Sequence, residues 1–586
     1  YAGERMMGTA TTAVGFRAGR FATGSYNTFM GYNAGYGGTT SAPYSSGQKN
    51  TAVGYYALRN FTTGQYNVAL GYHAGKSISS GTQNSIMGYL AGEDLTTGGN
   101  NVIIGTETMK NATDASDNVS IGKSAMEHNV TSNDNVVIGK SAGGGIGRDG
   151  TDTGSGYRTV AIGSFAGAGG GGLSVFIGYQ SGYTAGSTAP YYRTGNNNTG
   201  VGAHSLQLVT SGSGNIGIGY YAGYSTTTGD YNISIGTEAY GASTGDRNIT
   251  MGYRAMLTEN TLSYNIAIGH AALYYPGAGG SGYNIAIGDS SMFGGSTGGA
   301  ASYNTALGQR TLYSITAGSN NIAIGHQSLY KVKTGGQNTA LGTYAGYNQI
   351  GSNATLIGYY AGYYATGSSN TFVGSEAGKG GNTSAPYSSG EDNVAIGYNA
   401  LKSFTTGYDN VAVGYEALAL NTTGADSVAV GKNALTSNTT GIRNTAVGDG
   451  ALYHNTESSR NVGVGRLAGY HNQTGGQNVA IGESAMLGAS GQSNYYNVGI
   501  GYQSLLAITT GNNNVVVGHQ AGQAITNGNS VVLIGRRAGY SINSTGADGT
   551  VAIGYEASYN LTSGANQVSI GYPARLPIKT TLFPLV

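Results

Sequence analysis

Apolar positions recur along this chain in one short phrase. From Asn410 to Gly448 it reads NVAVGYEALALNTTGADSVAVGKNALTSNTTGIRNTAVG, three near-copies in a row. Taking the Gly that closes each V-A-V-G phrase as an anchor, the copies fall 17 residues apart at Gly54, Gly71, Gly88, Gly105, Gly122 and Gly139. The same spacing links Gly397, Gly414, Gly431, Gly448, Gly465 and Gly482. Between Gly15 and Gly571 there are about 32 copies, with occasional spacings of 15 to 24. A period of this length is the signature of a stacked repeat array.

Each column of the repeat has its own chemistry. The residue before the anchor is Val, Ile, Leu or Met, and the residue two places earlier is Val, Ile, Thr or Ser. These two share one face of a strand, where β-branched side chains suit the pleat. Between them sits mostly Ala (Ala52, Ala69, Ala395, Ala412), so the other face is tightly spaced. Three residues after the anchor comes Ala, Ser or Thr, as at Ala57, Ala74, Ser205 and Thr311, and next Leu, Met or Gly. A position that never admits a large side chain is a packing constraint. Helix is a poor alternative, because Gly returns every four to seven residues at about 1 kcal/mol each. The phrase predicts two short strands per coil, joined by a bend at the Gly and a Thr-Thr-Gly-x-x-Asn turn. The fold class expected is all-β, a parallel β-solenoid of about 32 coils with a 17-residue repeat. At about 4.8 Å per coil that makes a rod roughly 150 Å long.

Asn opens about three quarters of the phrases. Stacked in register, Asn50, Asn67, Asn84, Asn101, Asn118 and Asn135 would form an Asn ladder along the axis. Asn393, Asn410, Asn444, Asn461 and Asn478 would do the same in the later copies. A ligand-reading stripe is the alternative; the structural reading is favoured because Asn suits a turn entrance.

Composition narrows the function classes. The 586 residues include 106 Gly, 47 Tyr and 7 Pro, and only 9% are charged, against about 25% in a typical soluble domain. With 27 Lys and Arg against 26 Asp and Glu, there is no electrostatic footprint for nucleic acid or an anionic membrane. Cysteine is absent, which excludes disulfides, thiolate metal sites and a Cys nucleophile. No apolar run approaches the roughly 20 residues that span a bilayer. The opening Tyr1-Ala2-Gly3 reads as mid-repeat, so a processed or truncated start is expected.

These phrases resemble the head repeats of YadA-like trimeric autotransporter adhesins, whose S-V-A-I-G-x-x-A units form a left-handed parallel β-roll. They are also similar to the N-T-A-I-G-Y-x-A-L-x-x-x-T-T-G repeats of bacteriophage tail fibres. The resemblance covers almost the whole chain and implies a homotrimer of side-by-side rolls, at a virion or cell surface. There is no heptad stalk, neck or membrane-barrel pattern, so a processed fibre is the expectation rather than an anchored autotransporter. Residues 1–575 read as one array, within which 31–75 and 374–418 match at an offset of 343, suggesting duplication. Residues 576–586 leave the repeat and are expected to be a cap, a docking tail or a cleavage stub.

Insertions at the turns of a solenoid are where binding is expected. The segment SAPYSSG occurs twice, at Ser41–Gly47 and Ser384–Gly390, and STAPYYRTG at Ser187–Gly195 is a cousin. Pro43 and Tyr44, Pro190, Tyr191 and Tyr192, and Pro386 and Tyr387 are therefore candidate binding-loop residues. Aromatic rings there could meet a surface glycan or a receptor. The alternative is that each Tyr folds back on the solenoid wall. Tyr also follows the anchor in about a third of copies (Tyr55, Tyr72, Tyr398, Tyr415), at a site that elsewhere takes Lys123, Asp289 or Arg536 and so faces solvent. The sequons at Asn421 and Asn438 lie in turns, where glycans are expected to be accessible.

Catalysis finds little support. The eight His are scattered with no metal-ligand spacing, acidic residues are dispersed, and Gly-rich runs such as Gly463–Gly469 lack the context of a phosphate loop. No catalytic, cofactor or metal residue is assigned. The expected function is a non-enzymatic extracellular fibre or adhesin shaft, a stiff spacer presenting loops for host or surface attachment. The alternative is a structural protein joining end to end into a filament or sheath. An ice-binding solenoid would need regular Thr-x-Thr ranks, which are lacking.

Overall fold

The computed structural model describes residues 2–40, 42–144, 157–169, 172–184, 195–258, 261–275, 282–294, 301–491, 493–542, 547–561 and 565–572. The chain divides into two compact units, Tyr1–Ser290 and Ala301–Val586, the second also taking in Ser291–Gly295. Each is a parallel β-solenoid containing, among the described residues, sixteen three-residue strands, one per coil. In the first unit they run from Thr12–Val14 to Ile285–Ile287, and in the second from Thr305–Leu307 to Val568–Ile570. No helix occurs among the described residues, hence none long and apolar enough to cross a membrane.

Register follows the sequence period. Thr445, Ala446 and Val447 lie opposite Val462, Gly463 and Val464, one repeat on. Where the spacing lengthens, the strands still align: Thr28 pairs with Thr51 and Thr371 with Val394, so the extra residues of the SAPY segments leave the ladder undisturbed.

The second strand expected in each coil is replaced by a run of tight turns. Among the described residues a second paired strand forms at one place, where Ser225–Thr226 meets Ala242–Ser243. Elsewhere left-handed residues alternate with ordinary ones, as at Glu416 (φ 54°) and Leu418 (φ 51°). Alternate peptides then point in different directions. Ala417 and Ala419 donate back to the Gly414 and Glu416 carbonyls, at 3.4 and 3.3 Å, while Leu418 and Leu420 donate across to Ala434 and Thr436 in the next coil at 3.0 Å. A left-handed non-Gly residue costs about 1–2 kcal/mol. Burial of Leu418 and pairing of its N–H offset that cost.

The strands are packed with their small residue inward. Ala412, Ala429 and Ala446 have no solvent exposure, whereas their neighbours on both sides remain half-buried or exposed. The interior is narrow, and it is filled by the mid-strand residue together with the small residue three places after the anchor and the Leu, Met or Gly that follows. The first and last of these positions trade volume where the mid-strand residue is Phe. Where the mid-strand residue is large, as at Phe29, Phe176 and Phe372, a Gly stands four places after the anchor: Gly35, Gly182 and Gly378. A Cβ on any of these three glycines would run into the ring of that Phe.

Candidate functional site

The outward side of the strands carries a continuous row of partly exposed apolar residues in each unit. The residue before the anchor is aliphatic in all sixteen strands of both units and is buried in none. Leu70 and Met87 are 41 and 49% exposed in successive coils of the first unit, and Val430 and Val447 are 36 and 38% exposed in the second. The residue two places earlier, Val, Ile, Thr or Ser, faces the same way. A contiguous apolar stripe of this kind is unusual for a surface left bare to water. Sequence reading identified the two columns as sharing a face; the signal that this face lies outside is the Ala between them, too small to fill anything but a narrow interior.

The phrase-opening Asn residues face inward and are held tightly. Asn67 donates its Nδ2 to Asn50 Oδ1 at 3.1 Å and to the Gly81 carbonyl at 2.8 Å, and its backbone N–H reaches the same Oδ1 at 2.9 Å. Asn84, Asn101, Asn118 and Asn135 repeat the amide-to-amide link, each to the Asn one coil before. In the second unit Asn410 bonds Asn393 in this way, while Ser427 occupies the next rung and its hydroxyl accepts the Asn444 N–H. Asn461 and Asn478 continue through backbone N–H bonds to the preceding Oδ1. All are buried, so no Asn of this column is presented to a ligand.

A second Asn column overturns the expectation for the sequons. Asn421 and Asn438 have no solvent exposure. Asn438 Nδ2 donates to Asn421 Oδ1 at 2.8 Å, and both amides also bond Gly carbonyls. A glycan could be attached at either only by unfolding its coil. The Thr that follows each is also engaged: Thr422 Oγ1 donates to the Thr439 carbonyl at 2.9 Å and Thr439 Oγ1 to that of Thr456 at 3.0 Å.

The insert loops lie back on the wall. Tyr44 is half-buried, stacks on Phe21 with ring centroids 5.9 Å apart, and accepts a hydrogen bond from Arg5 at 2.6 Å. Tyr387 repeats the arrangement on Tyr364 at 6.1 Å, with Lys331 Nζ donating to its hydroxyl at 3.1 Å. Pro43 and Pro386 remain exposed, each after a cis peptide bond. Beside Pro43 and Tyr44 the wall opens into a cleft of about 500 Å³ that includes Met7, Thr23, Thr62 and Thr63. Pro190, Tyr191 and Tyr192 lie outside the described residues.

Tyr residues after the anchor are exposed and stack coil on coil, as in the series Phe16, Tyr32, Tyr55, Tyr72, Tyr89 with centroids 5.1–5.2 Å apart. Charged groups are sparse and locally paired. Burial tends to raise the pKa of Glu93, but hydrogen bonds from His73 and Lys76 outweigh it and hold the carboxyl below its usual range. Glu376 behaves alike between Lys402 and Lys379. His454 and His471, in adjacent coils, stack at 5.1 Å; burial lowers the pKa of both, and for His471 the charge of His454 lowers it further. Among the described residues no three His, Asp or Glu converge as a metal site would require.

No protein-family model and no curated protein matches the chain.

Proposed function

We propose that this chain is the shaft of a non-enzymatic extracellular fibre, a stiff spacer of stacked coils that associates side by side with copies of itself and serves attachment to a host or other surface. The observation that carries the reading is the outward strand face: an aliphatic row, never buried, running through all sixteen strands of each unit. Covering it along its length requires a partner whose apolar groups advance by the same rise per coil, and another copy of this chain has that rise. The number of copies, three, comes from the resemblance to trimeric adhesin and tail-fibre repeats. Attachment is assigned to the insert loops around Pro43 and Pro386, whose prolines are exposed, the first beside the Tyr44 cleft.

Light scattering and negative-stain microscopy on one sample test this. Discrete rods at three times the chain mass are the expected result. A monomer in solution would remove the fibre assembly, and long filaments of uniform width would replace it with end-to-end self-assembly.

A further inference from the structure

The stacked tyrosines of adjacent coils are a feature that the fibre reading does not require. Tyr264 and Tyr283 each stand immediately before a buried ladder residue, Asn265 and Asn284, and their rings stack at 4.8 Å with 5° between planes. They are 41 and 44% exposed. In the second unit Tyr313, Tyr330 and Tyr347 form a half-buried column with spacings of 5.0 and 4.9 Å and interplanar angles of 4° and 2°. Near-parallel stacking brings the edges of neighbouring rings close together, and backbone pairing between the coils holds both rings in place, through Ile266–Ile285 and Ser263–Gly282 beside the first pair and Ser314–Tyr330 and Lys331–Tyr347 in the column.

We propose that these pairs are sites of coil-to-coil dityrosine cross-linking. The chemistry suits the geometry. An oxidant removes one electron and the phenolic proton from each Tyr, leaving phenoxyl radicals with spin density on Cε. The two Cε atoms join, and each ring then shifts its Cε hydrogen to oxygen, restoring the phenols. Two electrons and two protons leave in all, and a haem peroxidase accepts them while reducing hydrogen peroxide to two waters. Exposure lets the oxidant approach and lets the rings tilt from face-to-face into the bonded arrangement. Holding the partner ring beside each radical raises its effective concentration far above that of a ring on another chain. With no cysteine in the chain, disulfides are excluded as covalent staples between its coils.

The test is treatment of the full chain with a haem peroxidase and peroxide, followed by digestion and mass spectrometry. Linked peptides joining Tyr264 to Tyr283, Tyr313 to Tyr330 and Tyr330 to Tyr347, each lighter by two hydrogens, are expected at least tenfold above any link to Tyr408. That residue is 50% exposed and lies outside any ring stack among the described residues. Tyr264→Phe should remove the first link and leave the other two, with yields per chain unchanged on tenfold dilution. Links that follow exposure, with Tyr408 as prominent as Tyr264, would overturn the proposal. So would the same pattern from urea-unfolded chain.

Discussion

The carbonyl oxygen of Gly448 lies 2.6 Å from the point that a Cβ on Gly431 would occupy. At Gly431 φ is 135°, a conformation that L side chains rarely adopt. The anchor column is thus glycine for two independent reasons, backbone angle and the closeness of the coils. Gly431→Ala should cost roughly 3 kcal/mol or more. Because a solenoid is coupled mainly to nearest neighbours, the damage should be local. Hydrogen exchange should lose protection around residues 410–465 and keep it around Val515–Val517; uniform loss would mean that the unit behaves as one cooperative block.

The Asn ladder predicts a graded series. Asn461 Oδ1 accepts the Asn478 N–H at 3.0 Å, and its Nδ2 donates to the Gly475 carbonyl at 2.9 Å. Asn461→Ala leaves buried groups without partners and should cost about 2–4 kcal/mol by urea denaturation. Asn461→Ser should cost less, because Ser427 already fills a rung and its hydroxyl accepts from Asn444. Equal costs for Ser and Ala would sink the acceptor role.

Inside and outside of a strand can be separated by single substitutions. Ala446→Leu adds volume to a closed interior and should destabilise by about 1–3 kcal/mol. Val447→Glu, one residue away and 38% exposed, should leave coil stability within about 0.5 kcal/mol. If the outer face is the self-association surface, Val447→Glu should still reduce the mass seen by light scattering. An unchanged mass would place the contact elsewhere.

Acid should weaken the coils around His454 and His471. Both pKa values are lowered in the folded chain, so the unfolded chain binds protons more readily. Their contribution is complete above about pH 6.5 and is lost as pH falls below it through the folded values. Replacing both by Gln should flatten the stability profile below pH 6.5, measured by denaturation at a series of pH values. A profile identical to the parent would show that the pair carries no such linkage. At the alkaline end Tyr363, pushed up to about 12 mainly by burial, acts in the opposite sense: its contribution is complete below about pH 10 and lost above it.

The period, the parallel stacking and the need for a small residue inside were all legible in the sequence, because in a solenoid one column of the alignment is one column in space. The Gly431 column could be read from the recurrence of the anchor glycine alone. The replacement of the second strand by turns was not legible. Leu418 and Glu416 carry no mark of left-handed backbone, and they adopt it because the next coil supplies Ala434 as an acceptor for Leu418 and the preceding one supplies Tyr398 for Glu416. The pairing of Phe372 with Gly378 was present in the letters, but its meaning appears only when the ring is seen to fill the place of the missing side chain. Tertiary structure alone decided that Asn421 is buried while Tyr44 lies back on Phe21, since both depend on what the adjoining coils offer a side chain in reach. Repetition determines what stacks on what; only the closed cross-section of the coil determines which side of each strand meets water.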